Sequence, residues 1–167
     1  TIIPSMNQTA KSTEAEYRIY RWMSENEPSG GKIFVPWSDG YLAEVISGLK
    51  SELTPQKIDF ELPRIYWMPE EAAVRILRER GIEYILVSTK YFKLARYNKK
   101  TGVFQYSYSP DIIYQPQQAG IKTFDRLKDT TLFKLLYQPR QLKKLQLLKV
   151  QSDQSGKENY LIYKILP

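Results

Sequence analysis

Apolar side chains recur at helical spacing near the start of the chain. Ala15, Ile19 and Met23 mark one face of a helix. Thr13, with a glutamate three residues later, forms a capping box, which predicts that the helix begins there. Pro28 and the glycines after it end the periodicity. The first predicted element is therefore a helix from Thr13 to the residues just before Pro28.

Two strands, each paired with a helix, are predicted next. Residues 32–35 are a short apolar strand, and 41–46 predict a short helix with Val45 on its apolar face. Residues 69–80 predict a second helix whose first residue is a proline. Residues 82–87 are almost continuously apolar, which is typical of a buried strand. This order predicts a layered α/β arrangement.

The second half of the chain is less regular. Residues 88–122 are rich in tyrosine and proline and predict either an extended insertion or a set of short strands. Residues 123–137 predict one helix capped by its first threonine. Residues 143–151 and 158–166 predict a C-terminal β-hairpin. The expected fold class is mixed α+β, with helices around a small sheet.

Composition excludes several kinds of chemistry. The 167 residues include no cysteine and no histidine, so thiolate nucleophiles, histidine bases and histidine-rich zinc sites cannot form within the chain. No apolar run approaches the roughly 20 residues that span a bilayer. We expect residues 1–167 to form a single soluble domain.

The charge is unevenly distributed. Residues 1–83 carry 13 acidic and 10 basic side chains, whereas residues 84–167 carry 5 acidic and 15 basic ones. A basic half favours an anionic partner such as nucleic acid or phospholipid headgroups, although a solvated lysine-rich surface has the same composition. Lys99 and Lys100 lie among tyrosines, a mixture found in nucleic-acid binders.

The most informative segment for function is Trp37-Ser38-Asp39-Gly40-Tyr41, which joins a predicted strand to a predicted helix. Loops at the carboxyl ends of strands often hold ligands. The tryptophan offers a flat apolar wall, and the aspartate can accept a hydrogen bond from a hydroxyl group. The alternative is that the aspartate only caps the helix and the tryptophan is core.

Paired acids elsewhere fit helix surfaces better than metal sites. Glu70 and Glu71 fall in the first turn of a predicted helix, where acids favour the dipole. Asp125 and Asp129 are four residues apart, but basic neighbours indicate a solvated face. We therefore expect neither pair to bind a metal ion.

The order of these elements resembles the C-terminal globular domain of the archaeal oligosaccharyltransferase catalytic subunit. That family has a helix with a tryptophan and a nearby proline, then a strand and the pentapeptide Trp-Trp-Asp-Tyr-Gly. Here Trp22 and Pro28 precede the strand and Trp37-Ser38-Asp39-Gly40-Tyr41. A glutamate-rich helix, an apolar strand and the closing strand 160–165 follow in the family order.

The resemblance implies that this domain is the C-terminal part of a larger membrane glycosyltransferase and lies on the extracytoplasmic face. Such an enzyme transfers a lipid-linked glycan to Asn in Asn-x-Ser/Thr, and the fragment alone would be inactive. Trp37, Ser38, Asp39, Gly40 and Tyr41 would bind the acceptor. Ser38 replaces the second tryptophan of the family motif, and the motif tyrosine is either missing or displaced to Tyr41.

The resemblance also implies a second short motif, an aspartate followed by lysine and then methionine or isoleucine. Lys90 and Lys93 lie roughly where it is expected, without the aspartate.

The implied partners are the transmembrane part of the parent chain, an acceptor polypeptide with an Asn sequon and a lipid-linked oligosaccharide; nucleic acid is not expected. A divalent metal, Mn or Mg, would be bound by the membrane part, so this domain would contain no metal site and no catalytic residue. Three alternatives remain: a related membrane glycosyltransferase with a different acceptor, a basic module for nucleic acid or anionic surfaces, and a structural or interaction domain with no ligand.

Overall fold

The computed structural model describes residues 2–167, with side chains from Glu14 onward. Its α-helices are α1 (Ile2–Asn26), α2 (Gly40–Ser47), α3 (Glu70–Glu79), α4 (Phe124–Lys128) and α5 (Thr131–Tyr137). Its strands are β1 (Lys32–Phe34), β2 (Lys50–Ser51), β3 (Ile82–Ser88), β4 (Phe92–Tyr97), β5 (Phe104–Tyr108), β6 (Leu145–Ser152) and β7 (Asn159–Ile165). The mixed α/β class predicted from the sequence is confirmed.

The main sheet has five strands in the order β2-β1-β3-β7-β6. β1 pairs in parallel with both β2 and β3, whereas β7 is antiparallel to β3 and β6. The parallel half is the predicted α/β layer, and the antiparallel half ends in the predicted C-terminal hairpin. The carboxyl ends of β1 and β3 consequently meet at one edge, beside the start of β7.

Helices cover both faces of this sheet. The connection from β1 through α2 to β2 and the connection from β2 through α3 to β3 run across the sheet in opposite directions. Crossovers between parallel strands are right-handed, so α2 and α3 cover opposite faces of the sheet. α1 packs against α2, β6 and β7, while α3 and α5 contact β3. Alternation along β3 matches this arrangement: Tyr84 and Leu86 face α1, and Ile85 faces the other layer.

The tyrosine-rich segment predicted as short strands or an extended insertion forms a β-hairpin, β4–β5, outside the main sheet. It packs through Phe92 and Tyr106, whose rings are 5.4 Å apart, against Trp67, which lies edge-on to Phe92 at 5.4 Å. The hairpin therefore extends the core beyond the sheet edge where β3 ends.

Several predicted boundaries are wrong. α1 begins at Ile2, so Thr13 lies inside it. Pro69 is the N-cap of α3, not its first residue. Val45 is 83 % exposed, because the core-facing positions of α2 are Ala43 and its neighbours Leu42 and Ile46.

The helix predicted over 123–137 is two helices. Thr123 caps α4 as predicted, through an N–H bond from Arg126. Thr130 caps a second helix, α5, by accepting from the backbone N–H of Phe133. In the described part of the chain, no helix is both long and apolar enough to cross a membrane.

Candidate functional site

The turn Trp37–Asp39 lies where β1 ends and α2 begins, at the edge where β3 also ends. All three side chains are half-buried. Ser38 Oγ donates a hydrogen bond of 2.8 Å to Asp111 Oδ2. The Tyr91 hydroxyl, which follows β3, donates to Asp39 Oδ2. The structure thus brings the aspartate of the candidate motif to a partner that sequence spacing did not indicate.

Asp39 carries a charge in an unfavourable place. Burial raises the pKa of its carboxyl group, and the Tyr91 hydrogen bond and the Lys90 charge only partly oppose that rise. Among the described residues, no donor reaches its second oxygen, Oδ1, and its side chain makes no cap bond to α2. Asp39 therefore occupies the N-cap position of α2, but its side chain does not cap the helix. Oδ1 remains available to accept a hydrogen bond from a ligand.

Beneath the turn lies a second polar group centred on Glu16 of α1. Its Oε1 accepts hydrogen bonds from Lys90 Nζ at 2.9 Å and from the Tyr160 hydroxyl at 3.0 Å. Burial raises the pKa of Glu16, and the charge of Asp39 raises it further. Burial alone would lower the pKa of Lys90, but the Glu16 carboxylate outweighs it. Lys90 is committed to this internal ion pair.

Two buried tyrosine hydroxyls adjoin these carboxylates without a hydrogen-bond partner in the described chain, those of Tyr20 and Tyr66. Burial raises the pKa of both phenols, and the nearby charge of Asp39 adds to the shift. Each is a donor close to a carboxylate that burial has destabilised. These two hydroxyls make the region around Asp39 more polar than a core with only a structural role would be.

Gly40 is required by the close approach of two segments. Its backbone has an ordinary helical φ of −56°, but a Cβ atom there would lie 2.1 Å from the carbonyl oxygen of Leu53. Tyr41, by contrast, points outward and is 41 % exposed. Within the motif, glycine therefore fixes the position of the turn against residues 53–54, and Tyr41 lies on the surface.

A cavity of about 300 Å³ is lined by Arg64, Trp67, Met68, Tyr114, Gln118 and Ala119. One wall belongs to the 3₁₀ segment Leu62–Trp67, which also contains Tyr66. The other follows Asp111, the partner of Ser38. The segments that form the two walls therefore also contain Tyr66, whose phenol is affected by the charge of Asp39, and Asp111, which accepts a hydrogen bond from Ser38. Sequence analysis treated this region as irregular and did not select it.

The second cavity wall is strained. Ile113 has φ of 74° and ψ of −48°, a conformation that a β-branched residue rarely adopts. The N–H of Tyr114 closes the turn on the carbonyl of Ile112 at 2.9 Å. The Tyr114 ring lies under the Arg64 guanidinium, 5.3 Å from its carbon to the ring centre. Strain of this kind concentrates at binding sites.

Lys93, the other lysine of the predicted second motif, does not join the site. Its Nζ reaches only the backbone carbonyl of Lys157, at 3.5 Å, on the exposed face of the hairpin. The sequence signal that could have located a basic residue in the site is the series Glu61, Arg64 and Met68, whose last two members line the cavity.

A larger cleft of about 470 Å³ lies elsewhere, between α3 and Lys143–Lys144. Its buried acid, Glu70, accepts hydrogen bonds from both backbone N–H groups, at 2.8 and 2.5 Å. Glu71 is an exposed first-turn acid of α3. These bonds account for Glu70 structurally.

None of the described residues forms a cluster of three or more acids, histidines or cysteines that could hold a metal ion. Asp125, the first of the two aspartates that are four residues apart, pairs with Lys128 at 3.3 Å.

The architecture, a mixed sheet with flanking helices, has counterparts among solved structures. Solved structures identify the class: the chain has the fold of the C-terminal globular domain of an oligosaccharyltransferase from Archaeoglobus fulgidus. The two share 16 % identity with a TM-score of 0.56, over 90 % of this chain and 96 % of that domain. At this identity the likeness shows the fold.

Larger structures from the same organism contain the same fold. One is an oligosaccharyltransferase tethered to an acceptor peptide with an NVT sequon, at 13 % identity and TM-score 0.55, with 83 % of this chain matched. Another is the enzyme AglB with an inhibitory peptide and a dolichol-phosphate, at 14 % identity and TM-score 0.56, with 81 % matched. The chain spans about a quarter of their length, 24 % and 23 %.

A third such structure, at 13 % identity and TM-score 0.54 over 81 % of this chain and 25 % of that one, contains zinc and sulfate. No protein-family profile matches the chain. No curated protein matches it either.

Proposed function

We propose that this chain is the acceptor-recognition domain of a membrane oligosaccharyltransferase, which transfers a lipid-linked glycan to Asn of an Asn-x-Ser/Thr sequon. The observation that carries the proposal is Asp39: a half-buried carboxylate with one oxygen held by Tyr91 and the other unbonded. It lies in a fold shared with oligosaccharyltransferase C-terminal domains. An oxygen in this position can accept a hydrogen bond from the hydroxyl group of the sequon Ser or Thr.

In this proposal the acceptor peptide runs from Asp39 to the cavity lined by Arg64, Met68 and Tyr114. Trp37 supplies a half-buried aromatic wall, and the cavity adds Met68 and Tyr114, so an extended peptide would cross from Asp39 towards Arg64. Apolar lining with a few polar groups is typical of such sites. In this proposal Ser38 acts through Asp111, fixing the turn, and Tyr41 contacts the acceptor only from the rim.

We assign the second motif to different residues from those that the sequence suggested. Lys90 is held by Glu16, and Lys93 lies outside the site. Glu61, Arg64 and Met68 supply an acid, a base and a methionine in the order that the family resemblance implies, and Glu61 pairs with Arg64 at 3.4 Å. Arg64 and Met68 line the cavity itself.

The proposal places this domain in a larger protein. The transmembrane part would hold the divalent metal and the lipid-linked donor, and the domain would lie on the extracytoplasmic face. The full-length neighbours with bound peptide and dolichol-phosphate support partners of these kinds. A related membrane glycosyltransferase with a different acceptor is the second candidate, because Ser38 replaces a tryptophan in the motif.

The test is glycan transfer by membranes that contain the full-length product of the gene encoding this chain. Asp39→Ala removes a charged hydrogen-bond acceptor and is expected to lower kcat/KM for an Asn-Val-Thr peptide by roughly 10- to 100-fold. The matched control is Asp125→Ala, an exposed aspartate whose side chain is 88 % accessible. Arg64→Ala is expected to raise KM, whereas Lys93→Ala leaves turnover unchanged.

Equal turnover of the wild type and Asp39→Ala would overturn the assigned role. Transfer to an Asn-Val-Ala peptide as efficient as transfer to Asn-Val-Thr would favour the second candidate, an enzyme that does not bind the sequon hydroxyl.

A further inference from the structure

The β4–β5 hairpin carries a concentration of uncompensated positive charge. Residues 92–108 contain four cations and no acid. The four cations are all exposed: Lys93, Arg96, Lys99 and Lys100. None of them forms an ion pair with a carboxylate in the described part of the chain. Much of the excess charge of the second half therefore lies on one small element.

A β-bulge places two of these cations, Lys93 and Arg96, on the same face. Lys93 pairs with Ser107 on the outer face, and the register shift between Leu94 and Arg96 returns Arg96 to that face, opposite Gln105. Without the extra residue, Arg96 would point towards the core. The outer face therefore carries basic side chains and uncharged polar ones.

The tip of the hairpin is fixed. Asn98 Oδ1 accepts hydrogen bonds from the N–H groups of Lys100 and Thr101, at 2.9 and 3.2 Å. The carbonyl of Gly102 accepts from the N–H of Phe124 at 2.8 Å, which fastens the tip to α4. The tip cations therefore extend from an ordered backbone, so little backbone order remains to be gained on binding.

The aromatic rings point away from the basic face. Phe92, Phe104 and Tyr106 form an inward stack, and Tyr97 lies flat against Phe124 with ring centres 4.0 Å apart. Binding of single-stranded nucleic acid depends on bases stacking on open aromatic faces, and the basic face, formed by Lys93, Arg96, Gln105 and Ser107, carries no aromatic ring. Val103 at the tip is 60 % exposed and offers an apolar side chain beside the cations.

We propose that the outer face and tip of the β4–β5 hairpin bind the surface of an anionic lipid bilayer. The four cations would lie against headgroup phosphates while Val103 enters the headgroup layer. This inference uses no residue of the acceptor site and holds even if the proposed acceptor role fails.

The experiment is co-sedimentation of the 167-residue chain with phosphatidylcholine vesicles that contain or lack phosphatidylglycerol. Binding is expected only to the anionic vesicles and to weaken as salt is added. Replacing the four cations with glutamine should lower the partition coefficient by about fivefold for each charge removed. All four are exposed, so circular dichroism and Tm are expected to match the wild type.

The matched control replaces four other cations with glutamine, namely Arg75, Arg78, Lys143 and Lys144, which line one cleft together with three glutamates. That variant has the same net charge but keeps the hairpin, and its vesicle binding is expected to stay close to the wild type.

Equal losses in the two variants would overturn the proposal, because attraction would then follow net charge alone. Binding to RNA in preference to anionic vesicles, abolished by the hairpin variant, would overturn it in favour of a nucleic-acid surface.

Discussion

At the scale of single residues, the site keeps a charged carboxylate where an amide would be more stable. Asp39 is half-buried, its one direct hydrogen-bond donor is a tyrosine, and its nearest cation, Lys90, is bound to Glu16. Burial without full compensation raises the pKa of Asp39. A residue that costs stability in its own fold is more typical of binding sites than of cores.

This leads to a pH-dependent prediction for Asp39→Asn. A carboxyl group whose pKa is higher in the folded than in the unfolded chain stabilises the fold most below the unfolded value of 3.8. That stabilisation is lost as pH rises through the folded pKa. Asparagine does not ionise, so the stability of the Asp39→Asn variant does not fall in this way as pH rises. Its Tm should therefore exceed that of the wild type at neutral pH.

Thermal unfolding from acid to neutral pH measures this difference. The two curves are expected to converge as pH falls below 3.8. Asp125→Asn, on the exposed surface of α4, is the control and should follow the wild type throughout. A variant less stable than the wild type at neutral pH would contradict the prediction.

Sequence reasoning located Trp37 and Asp39 because their place between a strand and a helix is visible along the chain. It could not find Tyr91, which lies 52 positions from Asp39, or Glu16, which lies 74 positions from Lys90. Spacing reports which face of an element a residue occupies. Partners brought together by sheet pairing leave no local signal.

At the scale of elements, the break between α4 and α5 shows how a polar side chain overrides periodicity. The apolar pattern of 123–137 continues through Asp129 and Thr130, and it predicted one helix. Thr130 is buried, donates to the carbonyl of Leu127 at 2.6 Å and accepts from the N–H of Phe133 at 3.3 Å. One hydroxyl thereby ends one helix and begins the next.

Thr130→Ala is accordingly expected to lower the free energy of unfolding by about 1–2 kcal/mol, since it removes a cap and leaves the buried backbone N–H of Phe133 without its acceptor. Urea denaturation measures the change. Thr123→Ala, which removes the exposed cap of α4, is the matched control and should cost about 0.5–1 kcal/mol. Equal costs would contradict the role given to Thr130.

The sequence also failed to predict a strand that is defined only by its pairing with a neighbouring strand. β3 and β7 are long and apolar, and both were predicted. β2 has two residues, and its assignment as a strand comes from its register with β1, where Lys32 faces Lys50. No pattern of two residues can indicate such a strand.

At the scale of the whole molecule, a network of charged side chains joins four segments of the chain. Glu52 is 7 % exposed and lies within 4 Å of three cations, Lys32, Lys57 and Arg80. Arg80 also binds Asp59. The network connects β1, the residues after β2, the loop before the 3₁₀ segment and the end of α3.

Arg80→Met is predicted to destabilise the fold by about 1–3 kcal/mol, because it removes one of the three cations around the buried Glu52 and the ion-pair partner of Asp59. Chemical denaturation is the measurement. Arg18→Met removes an exposed helical pair with Glu14 and should change stability by less than about 0.5 kcal/mol. A similar small effect for Arg80→Met would show that the network is solvated.

The pairing of β3 with β7 has a consequence for the order of folding. These strands are neighbours at the centre of the sheet, yet residues 89–158 separate them in the chain. The hairpins β4–β5 and β6–β7 close over short loops and form early, whereas the central ladder must wait for a long segment to close. A protein assembled in this order completes its main sheet, and with it the bonds of Glu16 and Tyr160 beneath Asp39, in the last and slowest step.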